Sequence, residues 1–246
     1  MCAQFGVFTT IQDLKSEYKI HVPENFSSDF DLIVRGFMKT DLAPIIVNEN
    51  NQLTLKAAHF SLVPHWASEF PVKFSTYNAR MERANPKTGE PEFIYQVPSF
   101  RDSFNHGHTC LVPMNYAVES TYFGKSAGNM VKFSQKGGGI FLAVGLHSQY
   151  LDKATGEIRE TFTLLTDDPY PFFFEHGHDR SIFVIPTAKN EDWLFAKMKP
   201  LERFNFLRSN RISLDWDIAL ERPMKKGWEK RAPTIAEVDA MRVWGV

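Results

Sequence analysis

The chain opens MCAQFG, and a cysteine at position 2 becomes chemically distinctive if Met1 is removed. Cys2 would then carry a free α-amine and a thiol on adjacent carbons, a pair that no other residue type offers. Taken alone, the plainer reading is an incidental thiol near a terminus, where chain order is usually lost. Other stretches add groups that move protons or grip anions. In STYNARMERA, Asn78 and Arg80 lie two apart at a predicted strand end and so face one side. Arginine offers a fork of donors matched to phosphate, and asparagine offers both a donor and an acceptor. A solvated strand end would use the same residues. In CLVPMNYAVESTYFG an apolar run leads into Glu119. Set among Tyr116, Val118, Tyr122 and Phe123, its carboxyl would be partly desolvated, which favours the protonated form and a proton-donor role. Equally, Glu119 could be the polar side of an alternating strand.

In FFFEHGHDRSIFVIP, His178 and Arg180 have same-face spacing just before a predicted strand. They would supply a proton shuttle near neutral pH and a phosphate clamp. In NHGHTCLVP, His106, His108 and Cys110 alternate, and with His176 and His178 they could be read as zinc ligands. Neither stretch has a CxxC or HExxH frame, so core or surface histidines are expected, with no metal and no cofactor.

The elements that must position these groups are mainly strands. TDLAPIIVNENNQLTLKAAHF reads as two strands around a polar turn at Asn48 to Gln52, and NMVKFSQKGGGIFLAVGLHSQY as a hairpin reversing at Gly137 to Gly139. ETFTLLT and RSIFVIP read as two further strands. Helices are expected at the edges: TIQDLKSEYKI with Thr10 as cap, NEDWLFAKMKPLERFNFLR with Asn190 as cap and a break at Pro200, and TIAEVDAMRVW with Thr234 and Glu237 at capping-box spacing. The expected fold class is α+β, one domain over 1–246 with a strand-rich centre and peripheral helices.

Composition narrows the function classes. With 43% hydrophobic and 14% aromatic residues the chain is a folded protein, and a net charge of -1 provides no bulk field for nucleic acid or membrane. Any DNA contact must come from a local cluster of Arg and Lys. Only Cys2 and Cys110 are present, too few for a disulfide scaffold, so a reducing, cytoplasmic setting is expected. No signal peptide or apolar run of ~18 residues is visible.

In chain order, Cys2, HFSLVPHW, YNAR, CLVPMNYAVES, FLAVGLHSQ, FTLLT and HDR resemble the SRAP family of abasic-site-processing proteins, also called SOS-response-associated peptidases. The resemblance runs from Cys2 to about Pro186 and leaves a divergent, helical C-terminal part over 187–246. It implies a mostly antiparallel, barrel-like core and a monomer that binds single-stranded DNA containing abasic sites, cytoplasmic and associated with the nucleoid. It also implies covalent attachment of the N-terminal cysteine to the sugar aldehyde. By match, Cys2 is the nucleophile, Asn78 holds the terminus or the sugar, and Glu119 and His178 move protons. Arg80 and Arg180 would hold flanking phosphates, while Trp66 in VPHW would stack on a base. The chain departs from the family pattern at Ala3 and Gln4, which remove an arginine at position 4, and at Asp41, Ser61, Ser120 and DRSIFVIP. Two other readings remain at this point: an N-terminal-nucleophile amidase or peptidase, and a non-catalytic single-stranded DNA-binding module. Abasic DNA would not inhibit the amidase, and a Cys2→Ala change would leave the binding module unaltered.

Overall fold

A computed structural model describes residues 4–24, 26, 29–36, 41–153 and 155–245, so Cys2 lies outside the described residues. The N-terminal half contributes β1 (Gln4–Thr9), α1 (Ile11–Tyr18), β2 (Phe30–Arg35), β3 (Leu42–Glu49) and β4 (Gln52–Phe60). Three short strands follow, β5 (Asn78–Arg80), β6 (Glu82–Ala84) and β7 (Pro91–Phe93), then α2 (Arg101–His106). The centre consists of β8 (Thr109–Met114), β9 (Tyr116–Ser120), β10 (Asn129–Gln135), β11 (Phe141–Leu151) and β12 (Ile158–Asp167). After α3 (Pro171–Glu175) and β13 (Ser181–Ile182) come α4 (Asn190–Phe195), α5 (Pro200–Asn210), β14 (Trp216–Pro223) and α6 (Ile235–Asp239).

Strands β11, β8, β3, β4 and β12 pair in that order, and β12 pairs back with β11 to close a five-stranded barrel. Its one parallel contact is β4 with β12; the others are antiparallel. A second sheet runs β14-β10-β9-β1-β2. Strand β8 is buried on both faces, which explains its apolar run Cys110–Met114. Ile45, Cys110, Val112 and Ala143 share a core with Phe5, Val7, Ala117 and Phe133 of the second sheet. Ile46, Leu111, Val144 and Leu146 lie on the alternate face, under Leu14, Phe104, Trp193 and Leu207 of the helices. This is the α+β, barrel-like core with peripheral helices that the strand pattern and the resemblance imply. No described helix is long and apolar enough to cross a membrane.

Local sequence accounts for several joints. The β3–β4 turn places Asn50 and Asn51 at φ 53° and 61°, a region that Asn tolerates, and the Asn48 side chain accepts from the Asn51 amide at 3.0 Å. Thr10 caps α1 by accepting from the Asp13 amide at 2.9 Å, and Thr234 with Glu237 forms the capping box of α6.

Four expectations need correction. The glycine run is not a hairpin: β10 pairs with β9 and β14, whereas β11 pairs with β8 and β12. Gly137–Gly139, all at positive φ, carry the chain from one sheet to the other. A turn signal marks where a strand ends and says nothing about whether its neighbours pair. Residues after 187 are not purely helical, because Trp216–Pro223 form the edge strand β14 against β10. RSIFVIP pairs only at Ser181–Ile182 and again at Val184, which bridges Ala143. Asn190 is the first residue of α4 rather than its cap, because a preceding 3₁₀ turn, Thr187–Lys189, starts the helical path earlier.

Candidate active site

Glu119 and His178 arrive from separate elements. Glu119 is the fourth residue of β9 and pairs with Val131 of β10. His178 lies in the turn between α3 and β13. Their side chains, 0% and 1% exposed, meet with Nε2 to Oε2 at 3.2 Å. The His178 Nδ1 lies 2.9 Å from the Ser120 carbonyl oxygen, which can only accept, so Nδ1 carries a hydrogen. Nε2 then faces Oε2 across a contact of 3.2 Å. An acid and an imidazole thus stand in contact, shielded from solvent, an arrangement that can pass a proton. Burial pulls the imidazole down to about 4 against the attraction of Glu119, so the charged ring is disfavoured near neutral pH.

Two glycines set this meeting. The Tyr122 amide donates to the Gly177 carbonyl at 2.8 Å, joining the chain after β9 to the His178 turn. A Cβ on Gly177 would overlap the Phe123 carbonyl oxygen, and one on Gly124 would overlap the Glu175 carbonyl oxygen. Both residues also have positive φ, 93° and 65°. Two backbone segments thus touch where a side chain on either would separate them. The glycine of HGH signalled this position, although the histidines drew the sequence reading.

Arg180 follows directly. Its Nε and Nη2 donate to Asp179 at 3.1 and 2.7 Å, a bidentate pair that holds the Asp179 carboxyl well below its ordinary range despite burial. Glu119 and Tyr77 also lie within electrostatic reach of Arg180. Tyr77 precedes Asn78, which β5 seats beside Leu164 of β12. The Glu119–His178 pair, Arg180 and the Tyr77–Asn78 corner thus belong to one region.

Arg80 belongs to another set of contacts. Its Nη2 binds Asp168 at 2.9 Å, and Asp168 also takes Arg242 at 3.2 Å. Nearby, Arg211 is buried with its guanidinium 4.4 Å over the Tyr170 ring and donates to the Asp168 carbonyl at 2.6 Å. Arg80 shares this anchoring network, a role that the NAR stretch did not suggest. Trp66 is 49% exposed, stacks on Phe74 at 5.8 Å and donates from Nε1 to the Pro98 carbonyl at 3.1 Å. Phe74 as its partner carried no sequence signal.

Beside β9, Gln4 of β1 pairs with Val118 on one side and Arg35 of β2 on the other. Asp41, where the family pattern has Asn, accepts from the Arg35 amide and Nε at 3.1 and 2.9 Å. Ser61, in place of the family's glycine, donates to the Gly36 carbonyl at 3.2 Å.

The histidine stretches have separate partners. His106 contacts Asp102 at 3.3 Å and His108 stands 5.9 Å from His147, while His176 meets the Ser126 hydroxyl at 3.0 Å. Cys110 is buried, which pushes its thiol well up. Among the described residues, no group of three or more His, Cys, Asp or Glu is placed to hold a metal ion.

The family model described as SOS response associated peptidase (SRAP) matches residues 1–216. The chain belongs to the SRAP family. The match extends past the Pro186 at which the motif resemblance ends, and it leaves outside β14 beyond its first residue, Trp216, and everything after it. No curated protein matches the chain. Among solved structures, a protein from Bacteroides thetaiotaomicron superposes with a TM-score of 0.68 at 20% identity, covering 94% of this chain and 100% of that one. A protein from Bordetella bronchiseptica gives 0.66 at 17% identity, covering 90% and 100%. A phage-related protein from the same organism gives 0.60 at 14% identity, covering 90% and 94%. At such identities these neighbours establish the SRAP fold alone.

Proposed function

We propose that this SRAP protein is an abasic-site sensor and processing enzyme that binds single-stranded DNA and joins Cys2, freed of Met1, to the aldehyde of an abasic sugar. The carrying observation is the buried Glu119–His178 pair, an acid and an imidazole in contact at 3.2 Å and shielded from solvent. Chain length supports the placement of Cys2, because two Cα–Cα steps allow it at most ~7.6 Å from Gln4. Gln4 is paired with Val118, the neighbour of Glu119.

The chemistry balances without a cofactor. An α-amine with an ordinary pKa of about 7.7–8.0 keeps roughly a tenth of its population neutral and nucleophilic at pH 7, unlike a lysine near 10.4. Its nitrogen attacks the aldehyde carbon, the carbonyl oxygen takes a proton, and a carbinolamine forms. Loss of water gives the imine. The Cys2 sulfur then adds to the imine carbon while the nitrogen regains a proton, closing a five-membered thiazolidine ring. Amine, thiol and aldehyde thus become one ring and one water. Both nucleophiles belong to one residue, so closure is intramolecular. Glu119 is suited to protonating the ring oxygen as the sugar opens, and His178 to assisting departure of the hydroxyl as water. Arg180 and Arg80 would meet flanking phosphates, Asn78 would orient the terminus or sugar, and Trp66 with Phe74 would offer a stacking face.

The test combines intact mass with crosslinking. Protein lacking Met1, incubated with single-stranded abasic DNA, should form a heat-stable adduct whose mass is the sum of the two partners less one water. Cys2→Ala should form none. Protein that has lost Met1 and still gives no adduct would overturn the proposal.

A further inference from the structure

The segment beyond the family match returns to the site. After β14, the Met224 amide donates to the Gly128 carbonyl at 2.9 Å, and the Trp228 indole covers Gly128 so closely that an added Cβ would meet it at 2.9 Å. Arg231 then places its guanidinium 5.4 Å over the ring of Tyr122. At the far end Arg242 binds Glu82 and Asp168 at 3.1 and 3.2 Å, and the Trp244 amide donates to the Pro169 carbonyl at 2.8 Å. The segment is therefore tied at both ends. Between the ties, Arg231, Pro233 and Met241 form one wall of a cavity of about 300 Å³ whose other wall is Tyr122, Phe123, Asp179 and Arg180.

The charges in this cavity are not balanced. Arg180 is neutralised by its bidentate pair with Asp179. Among the described residues no ion pair holds Arg231, so Asp179, Arg180 and Arg231 leave the lining with a net positive charge. Stacking on Tyr122 holds the Arg231 fork in place without consuming its N–H donors. The cavity begins three residues after Glu119 and one after His178, or ~3–10 Å along the chain at ordinary strand rise. That is the span of a nucleotide or so on an extended strand.

We infer that Arg231, held on Tyr122 by the C-terminal segment, is the core of a phosphate-binding subsite for a backbone phosphate of the single strand flanking the reacting sugar. The inference rests on the single-stranded DNA reading above.

The test measures binding of an oligo(dT) without any abasic site, by fluorescence anisotropy over a salt series, using the full chain and its Arg231→Ala, Arg231→Lys and Arg222→Ala variants. Arg231→Ala should weaken binding ~5-fold at low salt and reduce the slope of log K against log salt by ~0.7, the loss of one single-strand phosphate contact. Arg231→Lys should keep the slope. Arg222 is an exposed arginine of β14 outside the cavity, and its removal should change neither quantity. An Arg231→Ala protein that binds as wild type, or an equal loss in Arg222→Ala, overturns the subsite. Crosslinking of the wild type to abasic DNA, run in parallel, separates the two readings. An adduct with unaltered Arg231→Ala binding rejects the subsite and retains the crosslinking. Weakened Arg231→Ala binding with no wild-type adduct retains the subsite and rejects the crosslinking.

Discussion

Gly177→Ala is the perturbation that best isolates how this fold assembles its relay. Gly177 sits at φ 93°, where an L side chain is strained, and its new Cβ would overlap the Phe123 carbonyl oxygen. Gly139 has nearly the same φ, 92°, with no atom within 4 Å of an added Cβ. Alanine at 139 therefore costs only the backbone strain, ~1–2 kcal/mol. Alanine at 177 costs that strain plus displacement of one backbone segment from another. Relief means moving the His178 turn outward, which stretches the 2.8 Å bond from the Tyr122 amide to the Gly177 carbonyl and opens the 3.2 Å contact between Glu119 and His178. One lost backbone bond and a separated buried pair add ~2–4 kcal/mol. The total for Gly177→Ala is ~3–6 kcal/mol. At ~2–4 °C per kcal/mol for a chain of this size, Tm should fall by ~6 °C at the least, against ~2–8 °C for Gly139→Ala. Urea unfolding of both variants side by side gives the free energies directly, and the abasic-DNA adduct rate reports the relay. Gly177→Ala should lose stability by at least ~2 kcal/mol more than Gly139→Ala, and it alone should slow adduct formation. Equal losses in the two proteins, or an undiminished adduct rate at 177, would refute the interlocking of the two segments as the device that sets the relay.

Two further outcomes follow from the same geometry. The folded-state pKa of His178 is depressed to about 4, so between pH 6.5 and 4 the unfolded chain binds a proton there that the folded chain refuses. Stability should therefore fall as pH drops through that window, by about 3 kcal/mol in all, and urea midpoints of His178→Gln should show a correspondingly flatter dependence. Parallel pH profiles would contradict the burial argument. Trp66→Ala removes a half-exposed ring stacked on Phe74. Affinity for oligo(dT) should fall by the ~1–3 kcal/mol of a base–aromatic stack, with little change in Tm; unchanged affinity would take Trp66 out of the DNA path.

Strand periodicity was legible wherever the pattern was local. The Asn48 to Gln52 turn, the Thr10 cap and the Thr234–Glu237 box each depend on residues within a few positions of one another, and all form. The glycine run failed for the opposite reason. Whether β10 and β11 pair is decided by competition from β9, β14, β8 and β12, none of which leaves a mark at Gly137. The strand β14 was missed because its partner β10 lies more than eighty residues earlier in the chain, and Trp216, Ile218 and Leu220 alternate too briefly to stand out.

Residue types and their chain order were enough to indicate the family, an α+β barrel-like core and the side chains with chemical potential, because composition and motif order are properties of the chain itself. Only the tertiary structure decided what those side chains touch. It paired Glu119 with His178 across fifty-nine positions, tied Arg80 to Asp168 and Arg180 to Asp179, and brought Arg231 from beyond the family match onto Tyr122. The reason is that protonation and pairing depend on what surrounds a group within a few ångströms, and most of those neighbours are distant in sequence.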